Sequence, residues 1–413
     1  MFRSALVTLL LAAAPALAAN PTITVTGGKH DEADVVCKVK YSLPPDNTSV
    51  RLADGTELPA QMVGRAVLDP AGADQYLTFV LPKLAAERAV TLTVHGGPGL
   101  SDKGDAKRFH FQNESGKYTD LLFGSRKVLR SINAPHDATD ATTHYMTFKP
   151  FHQVFDPATG ETLLSSGVHP NTKEFLYPHH RGLFYGFNKV SYGNKQTADV
   201  WHGTDKVFSQ YDKTLATEAG PVLGRERGAI SWHGKDGKTF ASEERELTAY
   251  NVPGGTLIDF ASVLTTELPK VRLDGDPQHS GFHFRAPQEV AAKSAKQTYY
   301  LRPDGKGKPG ETRNWDAKGK DPKTVNLPWN AMSFVVAGKR YTVLRVDHPD
   351  NPKESRGSER DYGRFGDYFE YDLTPEKPLK VKYRVWVQEG EMTKDQCEAL
   401  ARGFTEPPAV AAK

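Results

Sequence analysis

The amino-acid sequence predicts an all-β fold, in which a large, curved antiparallel β-sandwich is preceded by a small immunoglobulin-like β-sandwich and followed by a short C-terminal helix. Runs of alternating apolar and polar residues recur along the chain, as half-buried strands require. The 36 Gly and 28 Pro suit the turns between strands. Helical signals are scarce, apart from residues 393–403, which begin with Thr393 as a cap and end at Gly403.

A secretory signal peptide is predicted for residues 1–19. Arg3 supplies a positive charge, residues 5–14 form an apolar run, and residues 15–18 provide the small side chains of a cleavage site. The apolar run is shorter than the roughly 20 residues that a membrane helix needs, and no later stretch approaches that length. We therefore expect an exported protein, periplasmic or extracellular, without a membrane span.

Two domains are predicted after the signal peptide. Residues 20–112 form the small β-sandwich, with strand-like runs at 22–26, 35–41, 76–82 and 89–94. A stretch rich in Gly, Asp and Lys, residues 96–107, is the expected linker. Residues 113–405 form the large sandwich, in which residues 379–387 alternate strictly and give the clearest strand. Residues 406–413 are predicted to be a disordered tail.

Charge and cysteine content limit the partners of the protein. The net charge of +3, from 53 basic and 50 acidic side chains, leaves no large field of one sign, which weighs against nucleic acid. We expect a small molecule or an oligosaccharide as the ligand. Cys37 and Cys397 could form a disulfide in an oxidising compartment or remain two thiols, because spacing alone does not define geometry.

The densest group of polar residues is Tyr177-Pro178-His179-His180-Arg181. On a strand, His179 and Arg181 share one face. His, Arg and Tyr side chains together can bind an anionic or hydroxyl-rich ligand and move protons near neutral pH. Tyr185 follows as a ligand contact. The alternative is that one His is a hydrogen-bonded core residue.

Two further segments combine His with aromatic residues. Trp201 and His202 suit a sugar site, since the indole offers a flat apolar face and the imidazole a polar contact. A buried Trp with a bonded ring N–H is the alternative. In residues 278–285, His279, His283 and Arg285 share one face of a strand, which is either a ligand groove or an ordinary solvated face.

The last candidate group follows an apolar strand that ends near residue 346. Asp347 and His348 enter a loop stiffened by proline, and Arg356 and Tyr362 come soon after. Functional residues often lie on loops at strand ends. The alternative is that the Asp side chains cap turns and the Arg side chains pair with surface carboxylates.

The sequence requires no cofactor, but it leaves a divalent metal at the histidines open. His179, His202, His283 and His348 would suffice as ligands if they converged, although none has the spacing of a zinc motif. No serine nucleophile elbow, P-loop or dinucleotide motif is present. No pair of carboxylates stands out as the acid and nucleophile of a glycosidase.

Four segments carry a resemblance to a known family: residues 178–184, 199–202, 346–352 and 382–385. They resemble a bacterial exported family of unknown function that is labelled "methane oxygenase PmoA". The likeness covers most of the mature chain and implies a β-sandwich and, by association with exported carbohydrate-processing proteins, sugar metabolism. The methane label fits poorly, because a particulate methane oxygenase subunit is an integral membrane protein and this chain has no membrane segment.

The hypothesis that follows is an exported carbohydrate-active protein, a hydrolase or lyase acting on a glycan or modified sugar. A His or Tyr would act as acid or base, and Arg181 would stabilise negative charge. The candidate catalytic residues are His179, His180, Arg181, His202, His283, Asp347 and His348. The candidate ligand-binding residues are Tyr185, Trp201, Arg285, Arg356 and Tyr362. The alternatives are a non-catalytic glycan-binding protein and a metal-dependent oxidoreductase.

Overall fold

The computed structural model describes residues 20–41, 48–70, 74–96, 108–169 and 175–412. The predicted signal peptide and all but the first residue of the predicted linker lie outside the described residues. Within these ranges, no helix is long and apolar enough to cross a membrane.

The N-terminal part is a small β-sandwich, in agreement with the sequence pattern. Its strands are β1 (Thr22–Thr26), β2 (Glu32–Lys40), β3 (Thr48–Arg51), β4 (Glu57–Gly64), β5 (Gln75–Leu84) and β6 (Ala89–Gly96). Strand β4 pairs with β3 through its first half and with β5 through its second half, so that it joins the two layers. Alternate residues such as Val35, Cys37 and Val39 fill the core between them.

In the described residues before the C-terminal segment, the large domain consists of antiparallel strands, one short α-helix and a few single helical turns. The strands are β7 (Phe109–Glu114), β8 (Tyr118–Phe123), β9 (Arg126–Ile132), β10 (Phe151–Val154), β11 (Leu183–Phe187), β12 (Lys189–Tyr192), β13 (Gln196–Ala198), β14 (Phe208–Ala219), β15 (Leu223–His233), β16 (Thr239–Tyr250), β17 (Thr256–Thr265), β18 (Val271–Asp274), β19 (Ser280–Arg285), β20 (Tyr299–Arg302), β21 (Gly305–Lys306), β22 (Trp329–Val336), β23 (Lys339–Asp347), β24 (Arg356–Arg360), β25 (Arg364–Tyr368), β26 (Tyr371–Leu373) and β27 (Leu379–Glu389). Helix α1 spans Ala141–Thr147, and Asp140 caps its first turn.

Two large sheets face each other in this domain. One has the order β24-β25-β19-β11-β10-β9-β8-β7, and the other has the order β14-β15-β16-β17-β27-β23-β22-β20-β21.

Aromatic side chains join the two sheets. Phe282 of β19 stacks on Tyr383 of β27, with ring centres 4.4 Å apart, and its ring centre lies 4.6 Å from that of Phe260 in β17. Each such pair adds about 0.5–1.5 kcal/mol beyond the burial of its surface. The predicted large β-sandwich is confirmed.

The C-terminal segment ties the two domains together. Helix α2 (Lys394–Thr405) begins as predicted, because the Thr393 side chain and the Gln396 side chain cap each other's backbone N–H groups. Its apolar face, with Cys397 and Leu400, packs beside Trp386 on the outer side of β27. Both faces of β27 are therefore covered.

The predicted disordered tail is wrong for the part that the structure describes. Residues Ala409–Ala412 form strand β28, which pairs antiparallel with β1. The physical reason is that β1 would otherwise be an edge strand with unpaired backbone groups, which four small extended residues can satisfy. The sequence pattern alone does not show which edge is free.

The two cysteines are unpaired thiols. Cys37 lies in the core of the small sandwich and Cys397 on the buried face of α2. Burial raises the pKa of each thiol to about 12, so both remain protonated at neutral pH.

Buried arginines and acidic residues form a polar network that includes residues of β24 and β25. The arginine network consists of Arg302, Arg345 and Arg364 with Glu359 and Asp367. Arg345 lies 2.7 Å from Asp367, and Arg302 Nε donates to Glu359 over 3.0 Å. Arg364 donates to the Ser358 hydroxyl at 3.1 Å. Each guanidinium thus has an oxygen partner, as buried charges require.

Candidate functional site

The loop that carries His179 and His180 has a constrained backbone. Tyr177 and Gly182, on either side of the pair, have positive φ angles of 52° and 51°. A Cβ at Gly182 would lie 2.1 Å from the carbonyl oxygen of His152, so only glycine fits there. The His180 N–H donates to the Tyr177 carbonyl over 3.0 Å. These restraints turn both imidazoles toward the outer face of the sheet.

Four imidazoles converge on that face and are named here the histidine cluster: His179, His180, His202 and His279. The ring centre of His179 lies 4.3 Å from that of His180 and 4.5 Å from that of His202. The rings of His202 and His279 are 4.9 Å apart. One ring nitrogen from each of His179, His180 and His279 lies within 4.8 Å of the others.

An apolar floor holds the cluster above strands β11 and β19. Phe184 and His283 are opposite each other in these paired strands, and the Trp201 indole packs on both, at 4.6 Å and 4.9 Å. Trp201 is fully buried, so it cannot offer its face to a sugar as predicted. It supports His180, whose ring lies 5.8 Å away.

Two carboxylates orient the outer imidazoles. Asp199 Oδ2 lies 2.8 Å from His202 Nδ1, and Asp276 Oδ1 lies 3.0 Å from His279 Nδ1. A carboxylate accepts only, so each Nδ1 carries a proton, and Nε2 is the atom of each ring that can offer a lone pair when the ring is neutral. Asn188 donates to Asp276 over 2.9 Å. Burial acts to raise the pKa of Asp276, but the hydrogen bond and charge of His279 hold it below its usual value.

Of the two inner imidazoles, His180 is buried and His179 is partly buried, and the enclosed nitrogens of both lack hydrogen bonds from the described residues. His180 is 1% exposed, and neither of its ring nitrogens has a hydrogen-bond partner among the described residues, nor has His179 Nε2. Burial, with the charge of His202, lowers the pKa of His179 to about 2. Burial and the charge of His179 lower the pKa of His180 well below its ordinary value. Both rings are neutral near pH 7 and present lone pairs.

The opening of the cluster has an aromatic rim. The side chains of His202 and His279 are 26% and 28% exposed. The Tyr177 ring lies 5.7 Å from that of His180, and Tyr177 and its neighbour Leu176 are exposed to 44% and 42%. The Tyr362 ring lies nearly parallel to that of His180, at 6.4 Å. Tyr362, predicted as a ligand contact, thus packs beside the cluster and is 9% exposed.

Arg285 shapes this rim from below. Its guanidinium is buried and donates to the carbonyl oxygens of Tyr362 and Leu176. It was predicted as a ligand contact, but its hydrogen bonds hold the two rim segments together instead. The predicted groove along the strand is absent from the described part of β19, because all six of its residues are buried.

Arg181 does not face the cluster. Its buried guanidinium donates to the carbonyl oxygens of Tyr145 and Met146 in the last turn of α1 and lies 4.5 Å above the Phe148 ring. A cation is stabilised at a helix C-terminus, where carbonyl groups lack partners. The predicted role of Arg181 as an anion stabiliser is therefore corrected to a role in holding α1.

His283 and Tyr185 are core residues rather than parts of the cluster. His283 Nε2 donates to the Ser280 carbonyl over 2.8 Å, and Arg364 donates to its Nδ1 over 3.1 Å. Both nitrogens of this fully buried ring are thus occupied. Tyr185 points to the opposite side of β11, between Trp232 and Phe260. His283 is thus a hydrogen-bonded core residue, and neither the ligand groove nor the solvated face that the sequence left open for its strand applies to it.

The remaining predicted residues lie apart from the cluster. Asp347 is buried and accepts from Lys353 and Asn351, each over 2.6 Å. His348 packs against Phe404 of α2 and lines a cleft of about 300 Å³ between the two domains. Arg356 pairs with Glu354 and Glu370. Turn-capping and pairing, the alternative for this segment, explain them because every charge has a local partner.

His279 is absent from the candidate catalytic residues above, although the sequence contains a signal for it. Asp199-x-x-His202 and Asp276-x-x-His279 share the same spacing, which places carboxylate and imidazole in one turn. Lys149 was also missed. Its buried ammonium donates to the Trp201 carbonyl over 2.7 Å and lies 4.6 Å from the Phe184 ring. Burial lowers its pKa well below the ordinary value, with the charge of Arg181 adding to the effect.

A comparison with protein-family models matches residues 119–402 to a family described as "Family of unknown function (DUF6807)". The chain belongs to this family. The part of the chain that matches DUF6807 contains the whole histidine cluster and both aspartates behind it. The family description assigns no activity and gives no support to the methane-oxygenase label. No curated protein matches the chain.

Solved structures give distant likenesses. An α-mannosidase from Enterococcus faecalis V583 is 10% identical, with a TM-score of 0.46 over 96% of this chain and 46% of that chain. A galactose mutarotase related enzyme from Lactobacillus acidophilus is 9% identical, with a TM-score of 0.30 over 69% and 98%. The DUF6807 chain thus spans less than half the length of the mannosidase. With TM-scores below 0.5, these likenesses carry no argument about function.

Proposed function

We propose that this protein is an exported enzyme that acts on a carbohydrate or a similar hydroxyl-rich molecule, and that the histidine cluster is its reaction centre. One observation carries the proposal. Four imidazoles meet at one place, and three nitrogens of the inner pair, both of His180 and Nε2 of His179, are buried without a hydrogen-bond partner among the described residues. Folded proteins rarely leave buried polar atoms without hydrogen bonds unless a ligand binds to these atoms.

The rim supports a ligand with an apolar face and polar edges. The ring of Tyr177 is exposed beside imidazole lone pairs that can accept hydrogen bonds from hydroxyl groups. A sugar ring offers both C–H faces and hydroxyl edges, so aromatic rings next to polar groups suit it. This arrangement favours the carbohydrate class over an extended peptide or a wholly apolar ligand.

The reaction class that fits best is hydrolysis or elimination. His202 Nε2 has its orientation fixed by Asp199 on the other side of the ring, which is how a base is held for proton transfer. Either reaction needs a proton taken from water or from a C–H group. Arg181 cannot stabilise the resulting negative charge, because α1 engages its guanidinium.

Turnover of an oligosaccharide panel tests the proposal. Hydrolysis would release new reducing ends, and elimination would give an unsaturated product that absorbs in the ultraviolet. We expect His202→Ala to lower turnover about 100-fold or more, the usual share of a positioned proton-transfer group. Arg356→Gln, outside the cluster, should retain turnover. Equal turnover in both folded variants would contradict the proposal.

A non-catalytic glycan-binding protein is the second candidate, and the exposure of Tyr177 favours it. In that case, the panel would show saturable binding without any product. Tyr177→Ala would then abolish binding, whereas His202→Ala would change it little. The same set of variants therefore separates recognition from catalysis.

A further inference from the structure

We propose that the histidine cluster binds one divalent transition-metal cation, with His179, His180 and His279 as ligands and His202 beside the fourth position. The use of this ion in catalysis rests on the proposed function, but its binding does not. The proposal stands on three observations: the separation of the nitrogens, the aspartates behind the outer rings, and the unpaired atoms of the inner rings.

The separation of the nitrogens fits a site that closes on an ion. One nitrogen of each ligand lies within 4.8 Å of the others. Ligands of a tetrahedral zinc ion are about 3.4 Å apart, since each Zn–N bond is about 2.0–2.1 Å. Small rotations of His179 and His279 would reach this separation, because both side chains are only partly buried.

The aspartates supply the outer shell that metal-bound imidazoles use. Metal-ligating histidines donate their other ring N–H to a carboxylate or carbonyl, which fixes the tautomer and raises the basicity of the ligand. His279 does so to Asp276, and His202 does so to Asp199. The repeated Asp-x-x-His spacing builds the same arrangement twice around one centre.

The unpaired atoms would be costly without a ligand. His180 is fully enclosed, and neither of its nitrogens has a hydrogen-bond partner among the described residues. Desolvating a polar group without a new bond costs about 1–3 kcal/mol. A metal ion takes the lone pair of a neutral imidazole, which is the protonation state that the buried environment enforces. Ion binding would therefore offset the free-energy cost of burying a His180 nitrogen without a partner.

Charge and ligand type narrow the identity of the ion. The three ligands are neutral, and the two aspartates behind the cluster match the two charges of a divalent cation. Imidazole nitrogen suits zinc, copper, iron, cobalt and nickel, whereas magnesium and calcium prefer oxygen ligands. Three histidine ligands leave one coordination position for water or a ligand hydroxyl. A metal ion bound by the cluster would supply the positive charge that Arg181 cannot supply.

Metal titration of the full chain tests the proposal directly. Protein produced without a histidine tag is stripped with a chelator and titrated with Zn²⁺ by calorimetry, and with Co²⁺ by visible absorption. We expect one equivalent to bind, with the strong absorption of four-coordinate cobalt, and no comparable binding of Mg²⁺. His279→Ala should abolish this site. Asp276→Asn, which keeps all ligands, should weaken it about 10- to 100-fold.

His348→Ala is the matched control, since His348 is a partly enclosed histidine outside the cluster. It should bind Zn²⁺ as the parent protein does, and thermal unfolding would verify the fold of each variant. Failure to find a saturable site, or equal binding by His279→Ala, would overturn the proposal. Zinc binding without glycan turnover would contradict only the proposed function. Turnover that survives removal of all metal would contradict only the use of the ion in catalysis.

Discussion

The histidine cluster and the arginine network are two polar groups of the large domain, and they differ in how completely their side chains are paired. In the network, Arg345 lies 2.7 Å from Asp367, and Arg302 donates to Glu359. In the cluster, both nitrogens of His180 are without hydrogen bonds from the described residues. His283 is intermediate between the two groups. It lies under the cluster, but its Nδ1 accepts a hydrogen bond from Arg364.

The difference teaches that pairing, rather than density of polar residues, separates a structural group from a candidate site. Removing a member of a paired group leaves an uncompensated buried charge, which is costly. Removing a residue whose polar atoms have no partner removes a cost instead. The two regions should therefore respond to substitution with opposite signs of the change in stability.

The largest effect is expected in the arginine network. Arg345→Met should lower the free energy of unfolding by about 3–5 kcal/mol, because Asp367 is then buried without its cation. Chemical denaturation of the two proteins measures this difference. A loss of less than about 1 kcal/mol would mean that the network does not hold the sheet.

The cluster should behave in the opposite way. We expect His180→Leu, measured without added metal, to leave the free energy of unfolding unchanged or to raise it by about 1 kcal/mol, since two unpaired nitrogens are removed. Zinc binding should be lost in the same variant. A destabilisation comparable to that of Arg345→Met would show that His180 is an ordinary structural residue.

Much of the fold could be predicted because it depends on local pattern. Strict alternation predicted β27, and Thr393 as a cap predicted the start of α2. The final strand was missed because its pairing with β1 is a contact between the two ends of the chain. An Ala-Val-Ala-Ala segment has no pattern of its own that indicates a sheet edge.

The site was predicted in part for the same reason. His179, His180 and His202 stand in polar motifs, and the structure brings them together. Arg181 and His283 share those motifs, but their hydrogen bonds to α1 and to Arg364 depend on distant segments. The alternation of residues 278–285 indicated His279 as a possible groove residue, and the repeated Asp-x-x-His spacing adds a sequence signal for its pairing with Asp276.

A third histidine group sharpens the comparison through its pH dependence. His136 stacks on Phe208 at 3.8 Å and faces His144, His233 and Asp137. Burial, with the charges of His144 and His233, lowers its pKa from 6.5 to about 4. Between these values the unfolded chain binds a proton that the folded chain does not bind. The stability that the neutral His136 ring contributes is therefore complete above pH 6.5 and is lost as the pH falls toward about 4.

We expect His136→Gln to reduce this acid-induced loss of stability. Denaturation of both proteins at about pH 7 and about pH 5 measures it. The variant His110→Gln, at an exposed position, serves as the control and should show the parent's full loss. An unchanged pH dependence in His136→Gln would contradict the assignment of a neutral buried ring.

The smallest effect is expected at Arg356, which was predicted to bind the ligand. Its ion pairs with Glu354 and Glu370 are partly exposed, and such pairs contribute about 0.2–1 kcal/mol. Arg356→Gln should change the free energy of unfolding by no more than this amount and should leave zinc binding intact. A marked loss of zinc binding would extend the site to β24.

X-ray absorption spectroscopy of the zinc-loaded protein tests the central claim most directly, since it counts the atoms bound to the ion. The account requires three or four imidazole nitrogens at about 2.0–2.1 Å, and one fewer in His279→Ala. A first shell of oxygen atoms, or the same spectrum in the variant, would contradict a metal centre at the histidine cluster.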